Sequence, residues 1–219
     1  MMLPESLSGL GLHFADRLGE LLRIAGADSK PIAPALVPGA GERSQLTCEG
    51  FSGGKDVVLV LVRARPDSQG RHQAVREKLT FRQDVAGSNL VYDLTGEFMQ
   101  GKARPFDCDL REQPARLYAV LPFQVESLTV IAKQQGGMVN LAVEFLTALG
   151  NRVQGTLPCH AVLKTPNGKV AWERCLATSK DGTFTAAAEL PPEAPRGKWL
   201  LIVRSLLDGK EVPLPMEVA

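Results

Sequence analysis

The chain has 219 residues, 44% of them hydrophobic and 22% charged, which is typical of a globular protein and excludes a disordered chain. Basic and acidic residues number 25 and 24, and a cut at Pro122 leaves 15 and 15 before it and 10 and 9 after it. Neither part has the basic excess of a nucleic-acid-binding protein or a polybasic membrane segment, and no apolar run reaches the ~20 residues of a membrane-spanning helix.

The N-terminal segment predicts a short amphipathic helix followed by a linker. Apolar residues recur at spacings of three and four from Leu12 to Ala25, and Gly26 is suited to end a helix. Prolines at 31, 34 and 38 then indicate an extended connector. Residues 1–11 lack the basic start and continuous apolar run of a secretory signal. We expect a cytoplasmic protein as the sequence is written, and an extracytoplasmic one if it is a fragment of a larger secreted chain.

From residue 45 onward the apolar period changes to two, which indicates strands. Thirteen candidate strands are bounded by turns rich in Gly, Pro, Asn and Asp. They cover residues 45–48, 57–65, 75–83, 90–93, 103–109, 115–121, 125–133, 138–146, 157–164, 169–177, 183–190, 198–205 and 212–218. The apolar run from Val57 to Val62 predicts a buried strand.

Short strands at spacings near ten residues are typical of antiparallel sandwiches, and the last seven strands fit an immunoglobulin-like domain in size. We therefore predict a mainly β protein with two antiparallel β-sandwich (immunoglobulin-like) domains and a short N-terminal helix. Residues 1–44 are assigned to the helix and proline-rich linker. Residues 45–122 form the first sandwich and residues 123–219 the second, immunoglobulin-like one.

Three motifs in the second half carry a resemblance to known modules. Lys-Thr-Pro-Asn-Gly-Lys (164–169), Asp-Gly-Thr-Phe (181–184) and Ala-Pro-Arg-Gly-Lys-Trp (194–199) follow in order. This order resembles macroglobulin-like and related immunoglobulin-like domains over residues 123–219. Leu-Val-Tyr-Asp-Leu-Thr-Gly (90–96) and the strand at 115–122 resemble the small β-sandwich that closes some large bacterial glycoside-hydrolase-like proteins. The resemblance implies tandem C-terminal accessory modules, and no catalytic motif of those hydrolases is present.

Four cysteines occur, with neither CxxC nor zinc-finger spacing. Cys159 and Cys175 lie on the two arms of one predicted hairpin. If they are directly opposite each other, they form a cross-strand disulfide; a slip of one residue leaves two small core residues instead. His160 is adjacent to Cys159, and because neighbouring strand residues point to opposite faces, the two do not make a nucleophile–base pair.

The aromatic residues that could form a sugar-stacking surface are Trp172, Trp199, Tyr92 and Tyr118. Trp199 opens the apolar run 200–203, which predicts a core anchor. Trp172, flanked by Ala171 and Glu173, is the better candidate for ligand stacking, with core packing as its alternative.

Acidic and glycine-rich segments were weighed as metal and phosphate sites. Asp107 and Asp109 share a strand face near Asp93 and Glu97, but the loop pattern of a calcium site is missing, and a solvated strand face is the alternative. The Gly-Gly-Lys at 53–55 lacks the remaining residues of a phosphate-binding loop. We predict no metal and no cofactor.

The sequence thus predicts a non-catalytic structural or interaction module, accessory to a larger multidomain assembly, with no catalytic residues. Its expected partner is a protein or a neighbouring domain, because sandwich edges and end loops are common binding surfaces. The alternative is a carbohydrate-binding module linked to polysaccharide degradation. Nucleic acid and membrane insertion are not expected.

Overall fold

A computed structural model describes residues 31–39, 44–71, 73–82, 89–96, 98–102 and 104–218. Within these ranges the chain consists of fifteen strands in four antiparallel sheets and contains no helix; accordingly, no described helix is long and apolar enough to cross a membrane. The predicted mainly β, antiparallel sandwich architecture is confirmed. The predicted N-terminal helix lies outside the described residues.

Eight strands build the first pair of sheets. They are β1 (Leu36–Pro38), β2 (Leu46–Ser52), β3 (Val58–Ala64), β4 (Arg76–Phe81), β5 (Leu90–Asp93), β6 (Phe98–Lys102), β7 (Phe106–Asp109) and β8 (Ala115–Leu121). The sheet orders are β1-β4-β7 and β2-β3-β8-β5-β6. Leu36 and Leu79 from the smaller sheet and Val60, Val62 and Val120 from the larger one share a core cluster. Alternate residues along each strand supply this core because side chains alternate between sheet faces.

Seven strands build the second pair of sheets. They are β9 (Val125–Gln135), β10 (Met138–Thr147), β11 (Pro158–Lys164), β12 (Val170–Ala177), β13 (Thr183–Glu189), β14 (Gly197–Ser205) and β15 (Glu211–Val218). The sheet orders are β13-β10-β9 and β12-β11-β14-β15. Val143 and Phe145 of one sheet and Leu163, Trp199 and Val203 of the other are buried in a common core cluster. Each of these seven strands was predicted to within two residues at either end.

The first half departs from the prediction at two places. Leu36–Pro38, assigned to the proline linker, is the edge strand β1, paired with β4. Proline is compatible with an edge because it has no amide hydrogen to donate and extends the backbone. Phe98–Lys102 is a strand that was not predicted, and the predicted strand at 103–109 is the shorter β7. The predicted boundary near Pro122 falls between β8 and β9, and the division into domains stays a prediction.

The central strands of the five-stranded sheet are buried on both of their faces. In β3, Val60 and Val62 face the smaller sheet, whereas Leu59 and Leu61 belong to the larger core cluster that continues into the second sandwich. These four side chains are at most 4% exposed. The buried strand predicted at 57–62 is confirmed, and its unbroken apolar run follows from burial on both sides.

The two sandwiches meet through backbone hydrogen bonds. The Asp56 amide donates to the Gln154 carbonyl at 2.9 Å, and the Thr156 amide donates to the Gly53 carbonyl at 2.5 Å. Gly54 has φ of 129°, and a Cβ there would lie 2.8 Å from the Gly155 Cα. Because Gly54 and Gly155 have no side chains, the two segments that contain them can approach each other at backbone distance.

Candidate functional site

A groove lies on one side of the second sandwich, between the edge strands β12 and β13. We call it the β12/β13 groove, and its volume is about 610 Å³. Its lining comes from both strands and the turn between them. The residues are Trp172, Arg174, Cys175, Leu176, Ala177, Ser179, Thr183, Phe184, Thr185, Ala186 and Ala187.

The turn between β12 and β13 closes one end of the groove. The Gly182 amide donates to the Ser179 carbonyl at 2.9 Å, and the Ser179 amide donates to the Thr183 carbonyl at 2.7 Å. The Ser179 hydroxyl also donates to the Asp181 carboxylate, and this bond lowers the pKa of Asp181. The sequence predicts this turn from its Asp181-Gly182 pair. The hydrogen bonds of the turn also fix the start of β13.

Trp172 lies on the core-facing side of β12 but at the sheet edge. Its backbone partner is the buried Leu163, and residues directly opposite in a sheet share a face. The indole is half-buried and packs against the core cluster. By contrast, Trp199 is 1% exposed and its Nε1 donates to the Pro195 carbonyl at 2.7 Å. The core role predicted for Trp199 is confirmed, and ligand stacking by Trp172 stays a prediction.

Arg174 and Phe184 extend the groove beyond the residue that the sequence singled out. Arg174 lies two residues after Trp172 on the same face and is exposed, while Phe184 of β13 is half-buried against the core cluster. Among the described lining residues there is neither a carboxylate nor a histidine. Aromatic rings, hydroxyls and one guanidinium are groups that bind ligands by packing and hydrogen bonding.

The remaining candidate aromatics are buried. Tyr118 is 1% exposed, its hydroxyl is 3.5 Å from the Cys108 sulfur, and burial raises its pKa. Tyr92 is 2% exposed, and its hydroxyl accepts a 3.0 Å hydrogen bond from the Val125 amide at the start of β9. Both tyrosines therefore stabilise the fold rather than present a surface for stacking.

Cys159 and Cys175, which the sequence offered as a cross-strand disulfide or as two small core residues, are both free thiols in the structure. All four cysteines of the sequence lie in the described residues, and none is in a disulfide. A bulge between Leu163 and Lys164 shifts the β11–β12 register, so that Cys159 lies opposite Leu176, and Cys175 opposite His160. A shift of one residue places the two sulfur atoms on opposite faces of the sheet.

Cys159 and His160, which are adjacent in β11, lie in different surroundings. Cys159 is 1% exposed, and burial raises its thiol pKa to about 12. His160 faces outward, with its Nε2 2.8 Å from the Glu173 carboxylate. The expectation that these adjacent residues do not form a dyad agrees with this arrangement.

The acidic residues weighed as metal ligands have cationic partners. Asp93 is 1% exposed; one of its oxygens accepts from the Arg116 guanidinium at 2.5 Å and the other from the amides of Thr95 and Gly96. Asp107 pairs with Arg76 at 2.8 Å.

Asp109 pairs with Arg111 at 2.5 Å, and hydrogen bonds from that guanidinium hold the pKa of the carboxyl well below its usual range. Within the described residues no group of His, Cys, Asp or Glu side chains is arranged to hold a metal. Glu97 lies outside them. The solvated, ion-paired strand is thus the alternative that the geometry favours.

Comparisons with known proteins give only weak structural similarities. Neither a known protein family nor a curated protein matches the sequence. Among solved structures, a β-glucuronidase from Ruminococcus gnavus is 12% identical, with 76% of this chain and 35% of that one covered at a TM-score of 0.25. A β-glycosidase from Bacteroides vulgatus is 14% identical, with 75% and 26% covered at 0.29. The chicken interferon gamma receptor alpha chain is 9% identical, with 73% and 92% covered at 0.32.

This chain spans about a third or less of the length of the two enzymes that it matches. At these TM-scores the likeness carries no argument about activity or ligands. The class that fold and site define is an antiparallel β-sandwich protein with a groove at one open side, as its own strand pairing establishes.

Proposed function

We propose that this chain is a non-catalytic interaction module, accessory to a larger multidomain assembly, and that the β12/β13 groove is its binding surface. The observation that carries the proposal is the position of Trp172, half-buried beside a cavity of about 610 Å³. A rigid aromatic side chain at the margin of a groove is the kind of group that dominates binding energy in protein interfaces.

The surroundings of Trp172 support a binding role. Phe184 lies in the facing strand, so a ligand entering between the two sheets would contact aromatic surface on both sides. The exposed Arg174 adds a guanidinium, which suits a carboxylate on the partner. The hydrogen-bonded junction at Asp56 and Gln154 attaches this sandwich firmly to the first one, so the groove sits on a rigid support.

Site-directed photo-crosslinking tests the proposal. A photoreactive phenylalanine analogue is placed at Thr185, which lines the groove, and in a matched control at Leu149, which is 86% exposed outside the groove. Each protein is irradiated in an extract of the cells that produce it, and adducts are identified by mass spectrometry. We expect one defined protein adduct from position 185 that Trp172→Ala abolishes. Equal adducts from both positions, or none from position 185, would contradict the proposal.

Carbohydrate binding is the second candidate function, and the hydroxyls beside Trp172 favour it. Ser179, Thr183 and Thr185 line the same groove as the indole, and sugars bind by stacking on aromatic rings and by hydrogen bonds to such groups. A glycan array with the wild-type chain tests this function. Binding that Trp172→Ala removes and Trp172→Phe largely retains would support it, whereas an array with no hit would exclude it in favour of a protein partner.

A further inference from the structure

The edge strands of this protein differ sharply in how they are protected from pairing with other chains. The four described sheets have eight edges. Edge strands usually carry prolines, charges, irregular register or a covering segment, because an uncovered edge is a template for another strand. Seven edges show such a feature: Pro38 in β1, the Ile32 bridge beside β2, the register shift at β6, Asp107 in β7, the register shift at β9, the register shift at β12, and Pro213 and Pro215 in β15.

β13 is the exception among these eight edges. Its seven residues, Thr183–Glu189, pair with β10 without a register shift. The sequence Thr-Phe-Thr-Ala-Ala-Ala has neither a proline nor a charge before Glu189 at its end. Small side chains at 186–188 leave the backbone accessible from the side. This edge therefore keeps the features that allow a further strand to add.

The backbone groups that face outward from β13 can be assigned. The Leu190 amide donates to Gly137 in the β9–β10 turn, whereas the Thr183 carbonyl accepts from Ser179 on the opposite side. In an antiparallel pair, alternate residues direct both backbone groups to the same neighbour. Even-numbered residues of β13 therefore bond to β10, and the amide and carbonyl of Thr185 and Ala187 point toward the groove side.

The side chains at this edge leave room for a strand. Phe184 and Ala186 lie on the core-facing side of β13, and Trp172 and Arg174 lie on the core-facing side of β12. A strand paired with β13 would place every second side chain into the groove between the two aromatic residues. Amide groups at two-residue spacing, about 7 Å apart, match the repeat of a polypeptide and have no counterpart in the hydroxyls of a sugar.

We propose that β13 receives an extended peptide segment of a protein partner as the fourth strand of its sheet. The segment has apolar side chains at alternate positions, which enter the groove, and one carboxylate positioned for Arg174. This inference rests on the proposed interaction function and names the chemistry of the partner.

A peptide-selection experiment tests it. The full chain is immobilised and a displayed library of random nonapeptides is selected on it, after which enriched peptides are synthesised and their Kd values measured. Ala187→Pro removes one outward amide and no bond to β10, while the matched Ala187→Val retains the amide. We expect Ala187→Pro to weaken binding at least about tenfold and Ala187→Val to change it less than about twofold. The amide hydrogens of Thr185 and Ala187 should become protected from exchange when the peptide binds.

A second measurement uses the wild-type chain, so the result does not depend on the folding of a variant. The selected peptide is N-methylated at alternate residues, once on each of its two edges. Methylation of one edge should abolish binding and methylation of the other should be tolerated.

Peptides that bind with neither amide protection nor sensitivity to Ala187→Pro would overturn strand addition. If Trp172→Ala nevertheless weakens those peptides, the groove remains the binding surface. If no peptide is enriched, strand addition is overturned, while the crosslinking experiment decides the interaction function separately.

Discussion

The two sandwiches differ in how completely their interiors are enclosed. In the first, the central strands of a five-stranded sheet are buried on both faces, and the pair between the buried Asp93 and the half-buried Arg116 joins β5 to β8. In the second, β9 and β15 approach on one side, where the Lys210 ammonium donates to the Glu126 carbonyl at 3.1 Å. The other side holds the β12/β13 groove. The first sandwich is thus the more enclosed of the two, and the second leaves one edge accessible.

The sharpest test of this contrast compares the two tryptophans. Trp199→Ala should lower the free energy of unfolding by about 3–5 kcal/mol, since it empties a fully buried site. Trp172→Ala removes a half-buried side chain at the groove and should cost about 1 kcal/mol. Urea denaturation followed by circular dichroism measures both. Equal losses would mean that Trp172 is a core residue and that the groove is not a separate surface.

The ion pair between the buried Asp93 and the half-buried Arg116 gives the next largest effect. Asp93→Ala leaves Arg116 without its carboxylate and removes the acceptor for two turn amides, so we expect a loss of about 3 kcal/mol. Glu49→Ala breaks the exposed pair with Arg63 and should cost less than about 1 kcal/mol. The same denaturation assay compares them, and a loss below 1 kcal/mol for Asp93→Ala would refute the role given to this pair.

The junction between the sandwiches tolerates little added volume. A Cβ at Gly155 would lie 2.2 Å from the Val57 side chain, so Gly155→Ala should lower the free energy of unfolding by about 1–3 kcal/mol. Gly137→Ala, at an open position in the β9–β10 turn, should change it by less than about 0.5 kcal/mol. If thermal and chemical unfolding find the two variants alike, the junction is looser than its geometry indicates.

Alkaline pH should destabilise the protein gradually through the buried thiol of Cys159 and the half-buried thiol of Cys48. Burial raises the pKa of Cys159 and of Cys48 from 9.0 to about 12. Between these values the unfolded chain loses a proton that the folded chain keeps, so stability present below pH 9 is lost as the pH rises toward 12. We expect a decline of up to about 1.4 kcal/mol per pH unit for each thiol. Cys159→Ala should flatten the profile, and an unchanged slope would contradict the assignment.

How far the sequence predicts this structure depends on the element. The strands of the second sandwich follow from period-two patterns bounded by strong turns, such as Asp181-Gly182. Strand β1 is not predictable in this way, because Leu36–Pro38 is short and its pairing with β4 is set by residues more than forty positions away. Strand β6 contains Gly101 with φ of 120° next to a register shift, which interrupts its alternation.

The residues of the candidate site also divide into those that the sequence reveals and those whose proximity depends on distant packing. Trp172 can be singled out in the sequence because Ala171 and Glu173 flank it. Phe184 and Arg174 cannot, since the proximity of β12 and β13 depends on sheet packing. A usable signal was present in β13, whose Thr-Phe-Thr-Ala-Ala-Ala lacks the charges and prolines of the other edges.

The bulge between Leu163 and Lys164 has a consequence for how this hairpin responds to a reducing agent. Near the turn, Lys164 pairs with Val170, and the bulge then places Cys159 beside Leu176 instead of Cys175. The two arms of the hairpin are held together by packing, by backbone hydrogen bonds and by the contact of His160 with Glu173. No bond in this hairpin depends on thiol oxidation, so a reducing agent should leave the pairing of its two strands intact.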